Sequence, residues 1–217
     1  MSKHFNPLKI VNVVLTAKLG VPYTPADGDE CSDDETTCGN KTYNFDLAKI
    51  ALIIEDASVE YFPRKFAALK LCRPDPFSKA LFFRSGKIVC VGNRSEESGC
   101  GAVKWFCDRI AKAAQIQYSI IDISVQNIVA TTMLVNKNTR IRLQRASVLF
   151  SKHTQYEPEL FPGCAFRFGD SWKQVVNVFT SGKIVLTGVK NTAQLMKLAQ
   201  EFLSLVNPKA REIFMTV

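Results

Sequence analysis

The chain is poor in the groups that most enzymatic and metal chemistry requires. Its 217 residues include only two histidines, His4 and His153, and its seven cysteines contain no Cys-x-x-Cys pair. Cys31 and Cys38, like Cys100 and Cys107, stand seven apart. A structural zinc site needs four suitably spaced ligands, so the thiols read as reduced packing groups and no metal is expected. A G-x-x-x-x-G-K-[ST] phosphate loop is absent, and no nucleophile is placed beside a base, so neither an enzyme nor a bound cofactor is expected. No apolar run approaches the roughly 18–20 residues of a membrane span. The opening "MSKHFNPLKIVNVV" lacks a cleavable leader's apolar stretch followed by small residues. The expectation is an intracellular chain with no membrane partner.

Acidic residues are scarce over most of the length. The net charge is +8, yet residues 21–45 hold six carboxylates against Lys41 alone, a net of −5, which leaves +13 on the remainder. A body this basic points to a polyanion such as nucleic acid, with a solvated basic surface as the plainer reading. The acidic run "DGDECSDDE" lacks the glycine and closing glutamate of a calcium loop and reads as a solvated insertion.

What the chain has in abundance is itself. "FRSGKIVCVGNR" (83–94) returns as "FTSGKIVLTGVK" (179–190), with seven of twelve positions identical. "YFPRKF" (61–66) matches "YEPELF" (156–161), and "VNVVLTA" (11–17) resembles "QNIVATT" (126–132). Self-similarity of this kind sets the architecture before any residue-level reading. Each copy predicts a strand, a short helix (46–53 and 140–150), several antiparallel strands such as "ALFF", "KIVCV", "QVVNVF" and "KIVLT", and a long helix. The long helices are expected to start near Ser95 and near Asn191. The first would bury Ala102, Phe106, Ile110 and Ala113, and the second Leu195, Leu198, Phe202 and Leu205. The boundaries follow: 1–9 before the repeats, 10–115 with the insertion at about 21–45, 116–207, and 208–217 after them. The fold class is α+β, two tandem pseudo-symmetric repeats with helices gathered on one side of an antiparallel sheet.

The strands carry a second message. A sheet with one wet face alternates apolar and polar residues. "KIVLT" and "KIVCV" do not: with Ile184 and Leu186 under the helices, Val185 and Thr187 face away, as Val89 and Val91 oppose Ile88 and Cys90. Asn12 and Asn127 share that outer face with Val14 and Val129. A largely apolar face is either covered by another layer or is a binding surface, and little apolar chain remains to cover this one.

Tyr156–Gly163 (Y-x-P-E-L-F-P-G), Ser181–Gly188 (S-G-K-I-V-L-T-G), Gln126–Val129 (Q-N-I-V) and Arg64–Ala68 (R-K-F-A-A) resemble the core of the TATA-box-binding protein family over roughly residues 8–206. The resemblance implies a saddle whose concave, curved sheet binds the minor groove of double-stranded promoter DNA and whose convex side carries the helices. It implies a nuclear factor that bends DNA and nucleates the preinitiation complex. Phe66, Phe83, Phe161 and Phe179 occupy the places of the intercalating aromatics; minor-groove wedging by this family is a standard example of the mechanism. Asn12, Val14, Val89, Val91, Asn127, Val129, Asn177, Val185 and Thr187 take the groove-floor places. Arg64, Lys65, Lys87, Arg94, Arg142, Arg167, Lys183 and Lys190 take those that serve phosphates. Glu157, Glu159 and Leu160 match the turn gripped by initiation factor B. Factors of the A type, the RNA polymerase machinery and self-association of the DNA-free protein complete the implied partners. There are departures: Val91 replaces an expected threonine, Asn177 an expected apolar residue, and Cys72 and Asp170 expected arginines. They imply relaxed A·T selectivity, or a relative that mainly holds other factors and binds DNA weakly.

Overall fold

The computed structural model describes residues 4–21, 44–54, 58–136, 138–169 and 171–216. Most of the acidic insertion, and Asp170, lie outside the described residues. In chain order the elements are β1 (Lys9–Gly20), α1 (Leu47–Ile54), β2 (Val59–Glu60), β3 (Leu69–Arg73), β4 (Ser78–Phe82), β5 (Lys87–Asn93) and α2 (Glu96–Ala114). There follow β6 (Ser119–Met133), β7 (Thr139–Ile141), α3 (Leu143–Leu149), β8 (Thr154–Gln155), β9 (Gly163–Phe168), β10 (Gln174–Phe179), β11 (Lys183–Val189) and α4 (Thr192–Val206). A 3-10 turn at Asn207–Lys209, α5 (Ala210–Ile213) and β12 (Phe214–Thr216) close the chain. Apart from β7 and these last pieces, one series of elements occurs twice.

The chain divides into two compact units, Val14–Ser124 (the first) and Met1–Val13 with Val125–Val217 (the second). In the first, β2, β3, β4 and β5 pair antiparallel in sequence order and β1 lies beside β5. In the second, β6, β11, β10, β9 and β8 are neighbours in that order, all antiparallel. The pleat explains the core of each. Leu69, Leu71, Ala80, Phe82, Ile88 and Cys90 fill one face of the first sheet beneath α2. Phe166, Val176, Ile184 and Leu186 fill the equivalent face of the second beneath α4.

The helices begin where their caps dictate. Ser95 and Ser98 form a reciprocal capping box at the start of α2 (3.0 and 3.2 Å), with Glu96 and Glu97 in the positive first turn. Asn191 accepts the Gln194 N–H at 2.8 Å to open α4. Asp46 accepts from Ala48 and Lys49, both at 3.1 Å, ahead of α1. The buried stripe of α4 is Leu195, Leu198, Phe202 and Val206. Val206 rather than the expected Leu205 completes it, because Phe202 and Val206 lie four apart on one face while Leu205 is rotated off it.

The segments outside the repeats carry structure of their own. Phe5 is buried against Phe202 and Phe214, with ring centroids 6.4 and 6.0 Å away, and bridges Leu134. Asn6 N–H donates to Met133 O at 2.9 Å, and Thr132 Oγ1 donates to Asn6 O at 2.7 Å. At the other end β12 pairs with β7. Residues 4–8 therefore close the helix side of the second unit. Phe5→Ala is expected to lower stability by about 3 kcal/mol through lost burial and the cavity left behind, read as a shifted urea midpoint with unchanged slope.

Three thiols are sealed in these cores. Burial pushes Cys107 up to about 12, with Asp108 beside it adding to the effect, and pushes Cys164 up to about 11. Cys90 is raised by burial too, although Asn93 Nδ2 donates to its sulfur at 3.3 Å and Arg73 pulls the other way. A thiol that ionises more easily unfolded than folded leaves stability intact below its unfolded value, here 9.0. Stability then falls as pH rises toward 11–12, by up to about 1.4 kcal/mol per pH unit for each such thiol. Denaturant titrations at pH 8 and pH 10.5 check this, with the lower midpoint expected at the higher pH.

Candidate nucleic-acid interface

Alternation along each strand fixes what lies opposite the helices. In the second unit this face carries Asn127, Val129 and Thr131 on β6, Val185 and Thr187 on β11, Val175 and Asn177 on β10, and Ala165 and Arg167 on β9. The register makes them a continuous floor: Val185 faces Thr131 and Asn177, and Asn177 faces Ala165. In the first unit the matching face holds Val14 on β1, Val89 and Val91 on β5, Lys79 and Leu81 on β4, and Lys70 and Cys72 on β3. The valines are half-buried. Asn12, also half-buried, precedes Val14 by two positions on β1.

One polar group on the second floor is held in a defined orientation. Asn127 Oδ1 accepts the Gly188 N–H at 2.9 Å, and Asn127 Nδ2 donates to Thr187 Oγ1 at 3.0 Å. A backbone N–H accepts no proton, so the amide oxygen must face it and the NH2 group is turned toward the floor. The β6–β11 register shifts between Leu186 and Val189, a bulge that presents Gly188 to the asparagine. Gly188 has φ +85°, and a Cβ there would fall 1.9 Å from Lys173 O, so no other residue fits the bulge. Val91 occupies the place of Thr187 in the first unit and brings no hydroxyl.

Each unit presents two phenylalanines in edge contact. Phe66 and Phe83 have ring centroids 6.4 Å apart at 64°, and Phe161 and Phe179 5.6 Å apart at 68°. Phe179 ends β10 on the face of Val175 and Asn177, and Phe83 follows β4 on the face of Lys79 and Leu81. Phe66 and Phe161 are 40% and 41% exposed, large apolar rings left at the border of an apolar floor. They stand on matching turns. Phe62 O accepts from Lys65 N and Phe66 N (2.8 and 2.9 Å), and Glu157 O accepts from Leu160 N and Phe161 N (3.0 and 2.9 Å). Gly163 lies beneath the second pair, where a Cβ would come within 2.7 Å of Phe161 and 3.1 Å of Phe179. The buried Ala68 takes that position in the first unit, and its pair is the more widely spaced.

Cations border these floors. Lys87 and Lys183 open β5 and β11 on the floor side, while Arg94 and Lys190 follow those strands, and all four are exposed. Arg167 lies on the second floor itself, its guanidinium donating to Gln155 Oε1 at 3.0 Å. Arg64 and Lys65 are exposed on the first turn, and Glu157, Glu159 and Leu160 on the second, with Leu160 81% exposed. Arg142 is not on a floor strand; it precedes α3 and donates its backbone N–H to Ile213 O at 2.9 Å. Two cations of the β3–β4 floor escaped the sequence reading, Lys70 and Lys79. The signal was present in the alternation of "LKLCR" and "SKALF", whose buried positions assign both lysines to the outer face.

Comparison with known proteins shows the family to which this fold belongs. The family model described as transcription factor TFIID (or TATA-binding protein, TBP) matches residues 36–113 and 122–208. The TATA-box-binding protein of Tetrahymena thermophila is 38% identical over 163 residues, 75% of this chain and 63% of that protein. That of Archaeoglobus fulgidus is 38% identical over 161 residues, covering 72% and 83% of the two chains. That of Methanocaldococcus jannaschii is 33% identical over 200 residues, covering 92% and 93%. This chain thus spans nearly all of one archaeal relative and under two thirds of the ciliate one. Among solved structures, Methanococcus jannaschii TBP superposes with a TM-score of 0.68 at 32% identity, covering 94% of this chain and 99% of that one. On the duplicated motifs, the fold and these matches, the chain belongs to the TATA-binding protein family.

Proposed function

We infer that this chain is a transcription initiation factor that binds promoter DNA through the minor groove and bends it. The observation that supports this most is the repeated pairing of exposed phenylalanines with an apolar floor. Opening a base step costs a few kcal/mol and needs a rigid, weakly hydrated wedge, which the paired rings supply. The groove beyond the wedge is met by Val14, Val89 and Val91 in one unit and by Val129 and Val185 in the other. A·T pairs offer only acceptors there, purine N3 and pyrimidine O2, which the Asn127 amide donor and Asn12 can address. Flexible TA steps cost least to deform and so supply selectivity without a full base code. Arg64, Lys65, Lys87, Arg94, Arg142, Arg167, Lys183 and Lys190 serve phosphates in this reading.

The turn at Glu157, Glu159 and Leu160 is the proposed grip for an initiation factor of the B type. An exposed leucine beside two carboxylates is a poor surface for DNA and a good one for protein. Factors of the A type and the polymerase machinery complete the assembly, and in a eukaryotic host the site of action is the nucleus. Without DNA, the same apolar floors are open to self-association.

The floor also supports relaxed base selectivity. Val91 lacks the hydroxyl that Thr187 offers, and Asn177 brings an amide oxygen able to accept from guanine N2, which marks G·C pairs in the minor groove.

End-to-end distance in a dye-labelled TATA duplex tests the central reading, with shortening expected on binding. Phe161→Ala and Phe179→Ala are each expected to abolish most of that shortening and to weaken binding about tenfold or more. A straight duplex at saturation with the unmodified protein would overturn the reading. The Val91→Thr, Asn177→Leu double variant is expected to discriminate against a central G·C substitution about tenfold more than the parent. Equal ratios in competition binding would rule out those two positions as the cause.

A further inference from the structure

The two floors carry cations on different strands. In the second unit Arg167 on β9 faces Val175 on β10, one cation and one apolar residue across a single pair. The corresponding pair in the first unit is Cys72 on β3 with Lys79 on β4. The arginine has become a thiol and the valine a lysine, so the charge has crossed to the neighbouring strand while staying at the same level of the sheet. Lys79 also faces Val91 on its other side, which puts it on the floor rather than on the helix face.

We propose that Lys79 is a DNA-backbone contact of the first unit, standing in across the strand pair for the arginine that Cys72 replaces. The proposal rests on the minor-groove reading given above and extends it to a residue whose counterpart in the second unit, Val175, is apolar.

Two lysines compete for this role, and their surroundings separate them. Both lie over a ring, Lys70 Nζ 5.8 Å from the centre of Phe66, but Lys70 Nζ is also 3.6 Å from Glu60 Oε2, so its charge has a carboxylate partner. Lys79 makes no ion pair among the described residues; its ammonium group lies 5.6 Å from the centre of the Phe77 ring, itself exposed. A ring face holds a cation by its quadrupole without neutralising it, so the charge remains available to a phosphate. Glu60 stands where the second unit has Gln155, the residue that holds Arg167. A neutral partner leaves Arg167 its full charge, and the Glu60 carboxylate spends that of Lys70. Lys79 is thus the cation of the β3–β4 floor with an unspent charge.

Each phosphate neutralised contributes about 0.9 to the slope of log affinity against log salt. With the full chain and one TATA-containing duplex, Lys79→Gln is expected to flatten that slope by about 0.9, and Lys70→Gln by clearly less. Moving the charge back, in the Cys72→Arg, Lys79→Val double variant, is expected to restore the parental slope. Thermal melts confirm that each variant is folded, and Lys79→Arg, which keeps both charge and site, should retain the slope if the double variant does not fold. An unchanged slope in Lys79→Gln overturns the proposal while leaving the minor-groove reading intact, as does a larger loss in Lys70→Gln. A folded double variant that stays as flat as Lys79→Gln overturns the exchange between strands. Absence of salt-dependent binding by the parent protein defeats both readings together.

Discussion

Everything in this chain follows from the two-residue period of its strands. Once Ile184 and Leu186 are committed to the core beneath α4, the pleat turns Val185 and Thr187 to the other side, and the same holds for Ile88, Cys90, Val89 and Val91 in the first unit. Strands apolar on both faces leave one face with apolar surface toward solvent, the kind of patch that marks a binding site. The paired phenylalanines, the bordering lysines and the asparagine–threonine contact stand on or beside that face.

The repeat was the most legible feature because it is a property of the sequence itself and needs no three-dimensional argument. Long helices were legible through their caps: Ser95 with two glutamates and Asn191 both mark chemistry that is local in sequence. Floor and core were legible wherever strand alternation was unbroken. What sequence did not disclose is what depends on distant partners. The place of Phe5 in the core rests on Phe202 and Phe214, about two hundred residues away. The holding of Arg167 by Gln155 depends on strand register, as does the contrast between Lys70 and Lys79. The choice of Val206 over Leu205 is a rotation of one helical position, decided by the sheet beneath. Gly188 was visible as part of a repeated motif, but its reason, a bulge that offers an N–H to Asn127, is a matter of geometry.

The two units share one plan but differ in fine structure, and the differences have a pattern. The second has Thr187 and Arg167 on its floor where the first has Val91 and Cys72, and Val175 where the first has Lys79. Their turns differ in sign, Arg64 and Lys65 against Glu157 and Glu159. A duplicated element that diverges in this way leaves two units that are alike in plan and distinguishable by the charge of their turns and the polarity of their floors.

The seat of the second phenylalanine pair carries a consequence of its own. Gly163 lets Phe161 and Phe179 settle where any side chain would push them apart, and the rings sit closer than those above Ala68. Rings seated so closely give up rotamer freedom when the chain folds, so the fixed placement of the second pair is part of what folding that unit costs, and Gly163 is the residue that permits it.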